Sequence, residues 1–250
     1  MKIVACIKRV PVTETQVKIA GDGKRLEKGD LQYMVSFYDE LAVEQAIQTK
    51  EALGGEVTIM TIGSSGSNED LRKQLARGAD DGLIVEDEDW LDRDCRSTAK
   101  VLAKKLEAMG AGCAFFGRVA TDRDNAAVGP MVATYLGWAC VTEVIDIELT
   151  ADGGTAKRET EHGVETVRFS LPAIITCNKG LNEPRRAGLK DIMAAKKKTI
   201  ATEPVEAEAN QAEVLEVALP PARKEGRIVG EGVDAVPALI EALQNEAQVL

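Results

Sequence analysis

The fold is decided by the stretch Phe115-Phe116-Gly117-Arg118-Val119-Ala120-Thr121-Asp122-Arg123-Asp124-Asn125-Ala126-Ala127-Val128-Gly129-Pro130, which changes character three times. The apolar run 113–116 is typical of the end of a buried strand, and Gly117 then allows the backbone to turn. After a polar loop, four apolar residues follow at the spacing of one helix face: Val128, Met131, Val132 and Tyr135. Because proline is tolerated only in a helix's first turn, Pro130 predicts that this helix begins near Ala126 or Ala127.

The loop before that helix has the chemistry of an anion site. The backbone N–H groups of residues 126–129 lie at a helix start, which carries partial positive charge, and no side chain there is larger than valine. The sequence therefore predicts a phosphate site. Asp122 and Asp124 would repel phosphate, so we interpret them as helix caps or as acceptors for ribose hydroxyls. The alternative is an ordinary strand-to-helix turn, since the loop matches neither the dinucleotide fingerprint nor the Walker loop.

Composition excludes several classes of function. The chain has 250 residues, enough for one large α/β domain with an appendage or for two domains, and 44% of them are hydrophobic. A net charge of −10 and a pI near 4.9 argue against nucleic acid and anionic membrane surfaces as partners, because both recruit basic faces. No apolar run reaches the length of a bilayer span, and a strand-like segment follows Met1 directly. We therefore expect a cytoplasmic protein without a targeting peptide and without direct membrane insertion.

The cysteines and the single histidine argue against a metal centre and a catalytic triad. The five cysteines are scattered singly, and we interpret the four in or beside strand-like runs as small buried hydrophobes of a reducing compartment: Cys6, Cys113, Cys140 and Cys177. No Cys/His cluster accompanies His162, which falls in a predicted turn, so the sequence predicts no metal site. We assign no catalytic residue.

Strands and helices alternate through the first two thirds of the chain. Strands are predicted at 1–7, 56–63, 83–85 and 113–116, and helices at 36–53, 68–77 and 92–109. This pattern is typical of a doubly wound, mostly parallel sheet. Strands predicted at 141–149, 155–161 and 166–169 add an antiparallel hairpin or meander, and 172–177 is one more buried strand. Lys8 and Arg9 end the first strand, where cations would suit a phosphate ligand, although a solvated charged turn fits equally well.

The segment 181–198 is the second informative stretch. It predicts a short helix with Leu189, Ile192 and Met193 on one face and basic residues on the other. That apolar face either packs on the chain's own sheet or meets another protein, and we interpret the run 196–198 as a solvated helix end. We assign residues 1–200 to a nucleotide-binding domain. Residues 201–250 read as an extended arm ending in an amphipathic helix at 236–249, which either wraps a partner or folds back.

Together these residues resemble the small, or beta, subunit of electron transfer flavoproteins. The segment Leu181-Asn182-Glu183-Pro184-Arg185, then Leu189 and Ile192-Met193-Ala194-Ala195-Lys196-Lys197-Lys198, is close to that family's signature. Three other segments are similar in the same order, from Lys2 to about Ile200: the strand end Cys6 to Val10, the helix start Asp39-Glu40-Leu41-Ala42-Val43-Glu44, and the loop Gly117 to Pro130.

The resemblance implies a Rossmann-like fold of the adenine nucleotide alpha hydrolase-like type and a heterodimer with a large, alpha, subunit whose redox-active FAD lies near the subunit boundary. It implies a second nucleotide in this chain, which is AMP in ordinary members and, in electron-bifurcating members, an FAD that takes a hydride from NADH. The cofactor-binding residues carried over are Cys6, Lys8, Ser36, Asp39, Ile62, Gly117, Arg118, Asp122, Asp124, Asn125, Ala126, Ala127, Val128 and Gly129.

The same resemblance implies partner contacts. Leu189, with Ile192 and Met193, matches a recognition loop that anchors in an apolar pocket of an acyl-CoA dehydrogenase, which would connect the chain to fatty acid oxidation. Glu165 matches a glutamate that contacts the mobile flavin domain of the large subunit. The implied downstream acceptor is a quinone-linked oxidoreductase or a ferredoxin.

Departures from the family pattern leave the nucleotide open. Ser36-Phe37-Tyr38 stands where the family usually has Asn-Pro-Phe, and Lys190 replaces a proline after the anchor leucine. Ala126 to Pro130 is similar to bifurcating members, whereas Arg123 and Asn125 replace their usual Gly and Thr. We favour FAD over AMP. The leading hypothesis is an electron-carrier subunit; the alternatives are the NADH-oxidising half of a bifurcating flavoenzyme and a nucleotide-binding regulatory module without redox partners.

Overall fold

A computed structural model describes residues 1–29, 31–222 and 225–250; Arg223 and Lys224, which belong to the predicted arm, and Asp30 lie outside them. In chain order the strands are β1 (Lys2–Cys6), β2 (Arg9–Pro11), β3 (Tyr33–Val35), β4 (Glu56–Gly63), β5 (Asp81–Glu86), β6 (Cys113–Gly117), β7 (Ala139–Leu149), β8 (Gly153–Thr160), β9 (Gly163–Ser170), β10 (Ala173–Cys177) and β11 (Ile200–Pro204). The helices are α1 (Phe37–Leu53), α2 (Ser67–Arg77), α3 (Cys95–Ala108), α4 (Val128–Leu136), α5 (Leu189–Ala195) and α6 (Val236–Glu241).

A nine-stranded sheet organises the first of two compact units, Met1–Glu216. Its strand order is β11-β5-β4-β1-β6-β10-β7-β8-β9, and every pairing from β11 to β7 is parallel. The chain runs outward from β1 to β4 and β5 and then returns to the other side of β1 with β6. This reversal places a topological switch point between β1 and β6, where α/β sheets usually bind ligands.

Helices cover both faces of the parallel part of the sheet, as doubly wound folds require. Phe115 lies in the core that α1 and α2 form on one face, with Leu41 and Leu75. The next residue, Phe116, belongs to the core on the other face, with Leu102 of α3 and Val132 of α4. Strands buried on both faces read as continuous apolar runs, which is why the sequence located them. The predicted α/β class and doubly wound sheet are confirmed.

The antiparallel part extends the sheet on one side. Strand β7 pairs with β8, and β8 with β9, in antiparallel register. His162 lies in the turn between β8 and β9, as predicted, and is exposed. Of the four cysteines predicted to be buried, Cys140 is exposed on β7, so the prediction is wrong there; Cys6, Cys113 and Cys177 are buried, and burial raises the pKa of each of those three thiols.

Several element boundaries differ from the sequence prediction. Helix α3 begins at Cys95 rather than at Asp92, because the Asp94 side chain is the N-cap and accepts the Ser97 N–H at 2.6 Å. Residues 9–11 are not a turn: they form β2, which pairs with β3 in a separate two-stranded sheet. Strand β11 falls where the extended arm was predicted and pairs in parallel with β5.

The chain after β11 lies against α3 of the same unit. The Lys100 ammonium and the Arg96 guanidinium bind the Glu208 carboxylate, and the Ser97 hydroxyl donates to the Glu208 carbonyl at 2.8 Å. The second oxygen of Asp94 accepts the N–H groups of Gln211 and Ala212 at 2.6 and 3.1 Å. Residues 205–213 therefore pack on the α/β unit, and this compact unit extends from Met1 to Glu216.

The second unit, Val217–Leu250, contains α6. Pro237 occupies its first turn, and a π-helical turn over Ala242–Glu246 follows. Its α-helical part is shorter than the predicted helix 236–249. Arg227 and Glu246 form an ion pair at 2.5 Å within this unit. No helix in the described ranges 1–29, 31–222 and 225–250 is long and apolar enough to cross a membrane.

Candidate nucleotide-binding site

A cleft opens at the carboxyl ends of β1, β4 and β6, at the switch point of the sheet. Most of the predicted cofactor-binding residues line it: Cys6, Lys8, Asp39, Ile62, Gly117, Arg118, Asn125, Ala126, Ala127, Val128 and Gly129. The three others, Ser36, Asp122 and Asp124, are not among the lining residues. Residues more than 100 positions apart in the chain thus meet at one edge of the sheet.

Asp39 joins the strand ends to the first turn of α1. Its buried carboxylate accepts the Lys8 N–H at 2.7 Å and the Gly117 N–H at 2.9 Å. Burial raises the pKa of Asp39 to about 7, even though both N–H donors and the Lys8 charge act to lower it. The absence of a side chain at Gly117 permits this approach, because a Cβ there would lie 2.5 Å from Asp39 Oδ1 and 2.8 Å from the Asp39 nitrogen.

The loop before α4 has an unusual backbone. Asp124 and Ala126 have positive φ angles, 51° and 50°, without being glycines, and Ala127 returns to the right-handed region as the N-cap residue. A left-handed residue followed by a right-handed one, as at Ala126 and Ala127, turns successive N–H groups toward one concave side, which favours an anion. The N–H groups of Val128 and Gly129 are in the first helical turn and have no partner within the helix. Left-handed non-glycine residues cost about 1 kcal/mol or more each, and such strain is concentrated at functional sites.

The two aspartates of the loop do not cap α4, so that part of the prediction is wrong: no side chain caps this helix. The Asp122 carboxylate binds the Lys8 ammonium at 2.6 and 2.8 Å and ties the loop to the end of β1. Asp124 is exposed. Ser36 is fully buried beneath the loop, where its hydroxyl accepts the Thr121 N–H at 3.3 Å. Asp122 and Ser36 therefore support the loop.

Only one of the two cations after β1 faces the cleft. Arg9 forms an ion pair with Asp70 of α2 at 2.9 Å, and its guanidinium lies 4.7 Å from the centre of the Tyr33 ring. The expectation that Arg9 joins Lys8 in binding phosphate is therefore wrong. Pairing of β2 with β3 turns Arg9 to this side.

The opposite wall of the cleft was not predicted from the sequence. It consists of the connection after β5 and the first turns of α3: Trp90, Arg93, Cys95, Thr98 and Leu102. Arg93 forms an ion pair with Asp87 at 2.6 Å and donates to the Ser97 hydroxyl at 3.0 Å. The one available signal was topological, because loops at the carboxyl ends of neighbouring parallel strands meet at one edge. Arg123 and Asn125 reach this wall from the loop before α4, at Leu91 and Cys95.

Comparison with known proteins shows relatives that match nearly the whole chain. The electron transfer flavoprotein domain model matches residues 26–208. The electron transfer flavoprotein subunit beta of Bradyrhizobium diazoefficiens is 36% identical, with 100% of both chains covered. The chain belongs to the electron transfer flavoprotein beta family. The Bacillus subtilis subunit beta is 32% identical over 95% of this chain and 96% of its own, and the mitochondrial subunit beta of Arabidopsis thaliana is 36% identical over 100% of both.

The segment that resembles the signature of the electron transfer flavoprotein beta family contacts α1 and contributes no residue to the lining of the cleft. We call residues 181–195 the signature segment. The Arg185 guanidinium binds the carboxylates of Glu44 and Glu51 of α1, and the Asn182 amide donates to the Leu41 carbonyl at 3.1 Å. Beyond it, α5 leaves its apolar residues exposed: Leu189 by 79%, Met193 by 54% and Ile192 by 45%. This apolar face is not packed on the sheet, which removes that alternative.

Of the three lysines after α5, Lys196 and Lys197 are exposed, as expected for a solvated helix end, whereas Lys198 is not. The Lys198 ammonium donates to the carbonyls of Leu75 and Ala79 at 2.9 and 2.6 Å, so it closes the C-terminal end of α2. On β9, the outermost antiparallel strand, Glu165 is mostly exposed and accepts a hydrogen bond from Arg158 at 3.3 Å. Glu165 therefore remains accessible.

Proposed function

We propose that this chain is the small subunit of a heterodimeric electron transfer flavoprotein and that it holds a nucleotide in the cleft at the switch point. The observation that carries the proposal is the convergence of the Lys8 strand end and the strained loop before α4 on one concave site. Membership of the family supplies the electron-transfer role. The alpha subunit is the proposed partner, and its FAD would supply the redox chemistry.

The residues of the cleft suit the parts of a nucleotide. The N–H groups at the start of α4 and the Lys8 ammonium are donors for phosphate oxygens. Asp122, which binds the Lys8 ammonium, and Asp124, which is exposed, do not line the cleft, so we do not assign the ribose hydroxyls to them. Toward the interior, Cys6, Ile62 and Phe116 offer an apolar surface to a flat ring. These residues bind and orient; none of them is assigned a chemical step.

The proposed nucleotide is FAD or AMP. The small side chains of Ala126 and Ala127 in the cleft favour FAD, in which case the chain would be half of a bifurcating flavoprotein that oxidises NADH. With AMP, it would be a structural holder in a one-flavin carrier. In both cases the site is the same, and the downstream acceptor that we propose is a quinone-linked oxidoreductase or a ferredoxin.

The first test is the nucleotide content of the complex. We expect that the heterodimer, denatured after co-expression with its alpha subunit, releases one nucleotide in addition to the FAD of the large subunit. Ala127→Asp should abolish that second nucleotide by placing a carboxylate at the anion loop, whereas the neutral Ala127→Ser should retain it. Chromatographic quantification of AMP and FAD measures both. Release of a single FAD and no AMP by the wild-type complex would refute nucleotide binding by this chain.

We further propose that the exposed face of α5 docks an acyl-CoA dehydrogenase. A single large apolar anchor at the centre of an interface contributes about 2 kcal/mol or more, so Leu189→Ala should weaken docking by roughly 30-fold. The measurement is the KM for the heterodimer as electron acceptor of the dehydrogenase. Val17→Ala removes an exposed aliphatic side chain elsewhere and serves as the control. A wild-type KM for the Leu189 variant would count against the docking role.

A further inference from the structure

The two walls of the nucleotide cleft are bridged by side chains at its rim. Arg123, in the loop before α4, donates from Nη2 to the Leu91 carbonyl at 2.5 Å. Asn125, two residues later, donates from Nδ2 to Cys95 Sγ at 3.2 Å. Leu91 precedes α3 and Cys95 begins it, so both contacts join the same two walls. We call this pair of contacts the rim clasp.

Burial shows which end of the cleft the rim clasp occupies. Arg123 and Asn125 are both exposed residues that also line the cleft. Cys6, Ile62 and Phe116, which line the other end, are buried in the sheet and its core. The contacts therefore cross the solvent side of the cleft, between bulk water and the interior surface.

The backbone beneath the rim clasp explains why the loop needs an anchor on the opposite wall. The two left-handed residues, Asp124 and Ala126, alternate with Arg123 and Asn125. A loop that contains two strained residues keeps one conformation only where its surroundings determine it. On the β1 side the Asp122–Lys8 ion pair holds it, and on the α3 side the rim clasp does.

We propose that Arg123 and Asn125 form a gate: the rim clasp closes the cleft over its ligand, and it must open each time a nucleotide enters or leaves. This inference rests on the proposed nucleotide binding. Arg123 and Asn125 then act as positioning residues that control exchange. Removing either side chain should raise the rate constants for both association and dissociation. The ratio of these two rate constants should change much less.

Stopped-flow fluorescence on the full-length chain tests the gate, with AMP and FAD as separate probes. Trp90 lines the cleft and supplies the signal. In Arg123→Ala, loss of a hydrogen bond from a charged donor should raise both rate constants by about tenfold or more. Asn125→Ala should raise both less, since its sulfur acceptor is weak. Arg25→Ala, an exposed arginine paired with Asp22, is the matched control and should leave both constants unchanged.

The outcomes separate the gate from the site itself. If Arg123→Ala lowers the association rate constant and raises that for dissociation, Arg123 binds the ligand's phosphate directly and the gate is refuted. Unchanged rate constants in both variants, with wild-type melting temperatures, would show that the cleft is already open to solvent. This result would also refute the gate. If neither AMP nor FAD binds the wild-type chain, the proposed nucleotide function fails and the gate fails with it.

Discussion

Replacing Gly117 by alanine is expected to lower the free energy of unfolding by roughly 3 kcal/mol, because the new methyl group has no space. It would lie 2.5 Å from the Asp39 carboxylate and 2.8 Å from both the Asp39 nitrogen and the Tyr38 carbonyl carbon. Two of these three atoms belong to the backbone of α1, so relief requires movement of the helix away from β6. That movement lengthens the hydrogen bond from the Gly117 N–H to Asp39. Urea denaturation measures the loss of stability.

The matched control for this variant is Gly21→Ala. A Cβ at Gly21 has no heavy atom within 4 Å, and we expect a change of no more than about 0.5 kcal/mol. Gly117→Ala should also reduce the nucleotide content of the complex, since Gly117 lines the cleft. A denaturation midpoint equal to that of the wild-type protein would mean that α1 shifts without cost, contrary to the packing of Asp39 between two strand ends.

The second large effect is expected at Arg185, which holds the signature segment on α1. Its guanidinium binds both oxygens of Glu44, and the Glu44 side chain is only 3% exposed. Burial alone would raise the pKa of Glu44, but the Arg185 contacts and Gln48 outweigh it and place the pKa below its ordinary value. Arg185→Ala leaves this carboxylate with Gln48 and the backbone N–H of residue 185 as partners. We expect destabilisation of about 3 kcal/mol.

A double variant shows whether the buried charge causes that loss. In Glu44→Gln with Arg185→Ala no carboxylate remains to be buried, so stability should partly recover relative to Arg185→Ala alone. Arg186→Ala removes the neighbouring arginine, which is exposed, and should change stability by less than about 0.5 kcal/mol. If the double variant is less stable than Arg185→Ala, the guanidinium does not act through Glu44.

Arg185→Ala should also weaken docking of the proposed dehydrogenase partner, because α5 begins four residues after Arg185. In Arg185→Ala the anchor Leu189 is still present but is no longer held in position. In Leu189→Ala the anchor itself is missing. The two variants therefore differ in stability: Leu189 is exposed and its truncation leaves the unfolding free energy nearly unchanged. Parallel measurements of KM and unfolding separate positioning of the segment from contact with the partner.

Local chemistry decided which parts of the fold the sequence could predict. Strands β1, β4, β6 and β10 are buried, so their residues form apolar runs that single-sequence reasoning detects. Strand β11 carries Glu203 and Pro204, is largely exposed and pairs at the sheet edge, so it has no such pattern. The start of α3 was misplaced because four aspartates lie between β5 and α3, and only the contact with Ser97 identifies Asp94 as the cap.

The residues of the candidate site also differ in whether the local sequence could predict them. The loop before α4 has a local signature, a glycine at a strand end followed by small residues at a helix start, and it could be predicted. The wall formed by Arg93 and Cys95 has none, because its position depends on which strands become neighbours. Contacts such as Lys8 with Asp122, or Arg185 with Glu44, join residues 114 and 141 positions apart, and nothing near either residue indicates them.

Strand β11 also has a consequence for biosynthesis. Its partner, β5, ends at Glu86, more than 100 residues before Ile200. While the chain emerges from the ribosome, the outer edge of β5 stays unpaired until residues 200–204 have been made, and an unpaired edge of a parallel sheet is a template for aggregation. While residues 87–199 are being made, protection of that edge by chaperones therefore matters, and β11 is the last strand of the sheet to be synthesised.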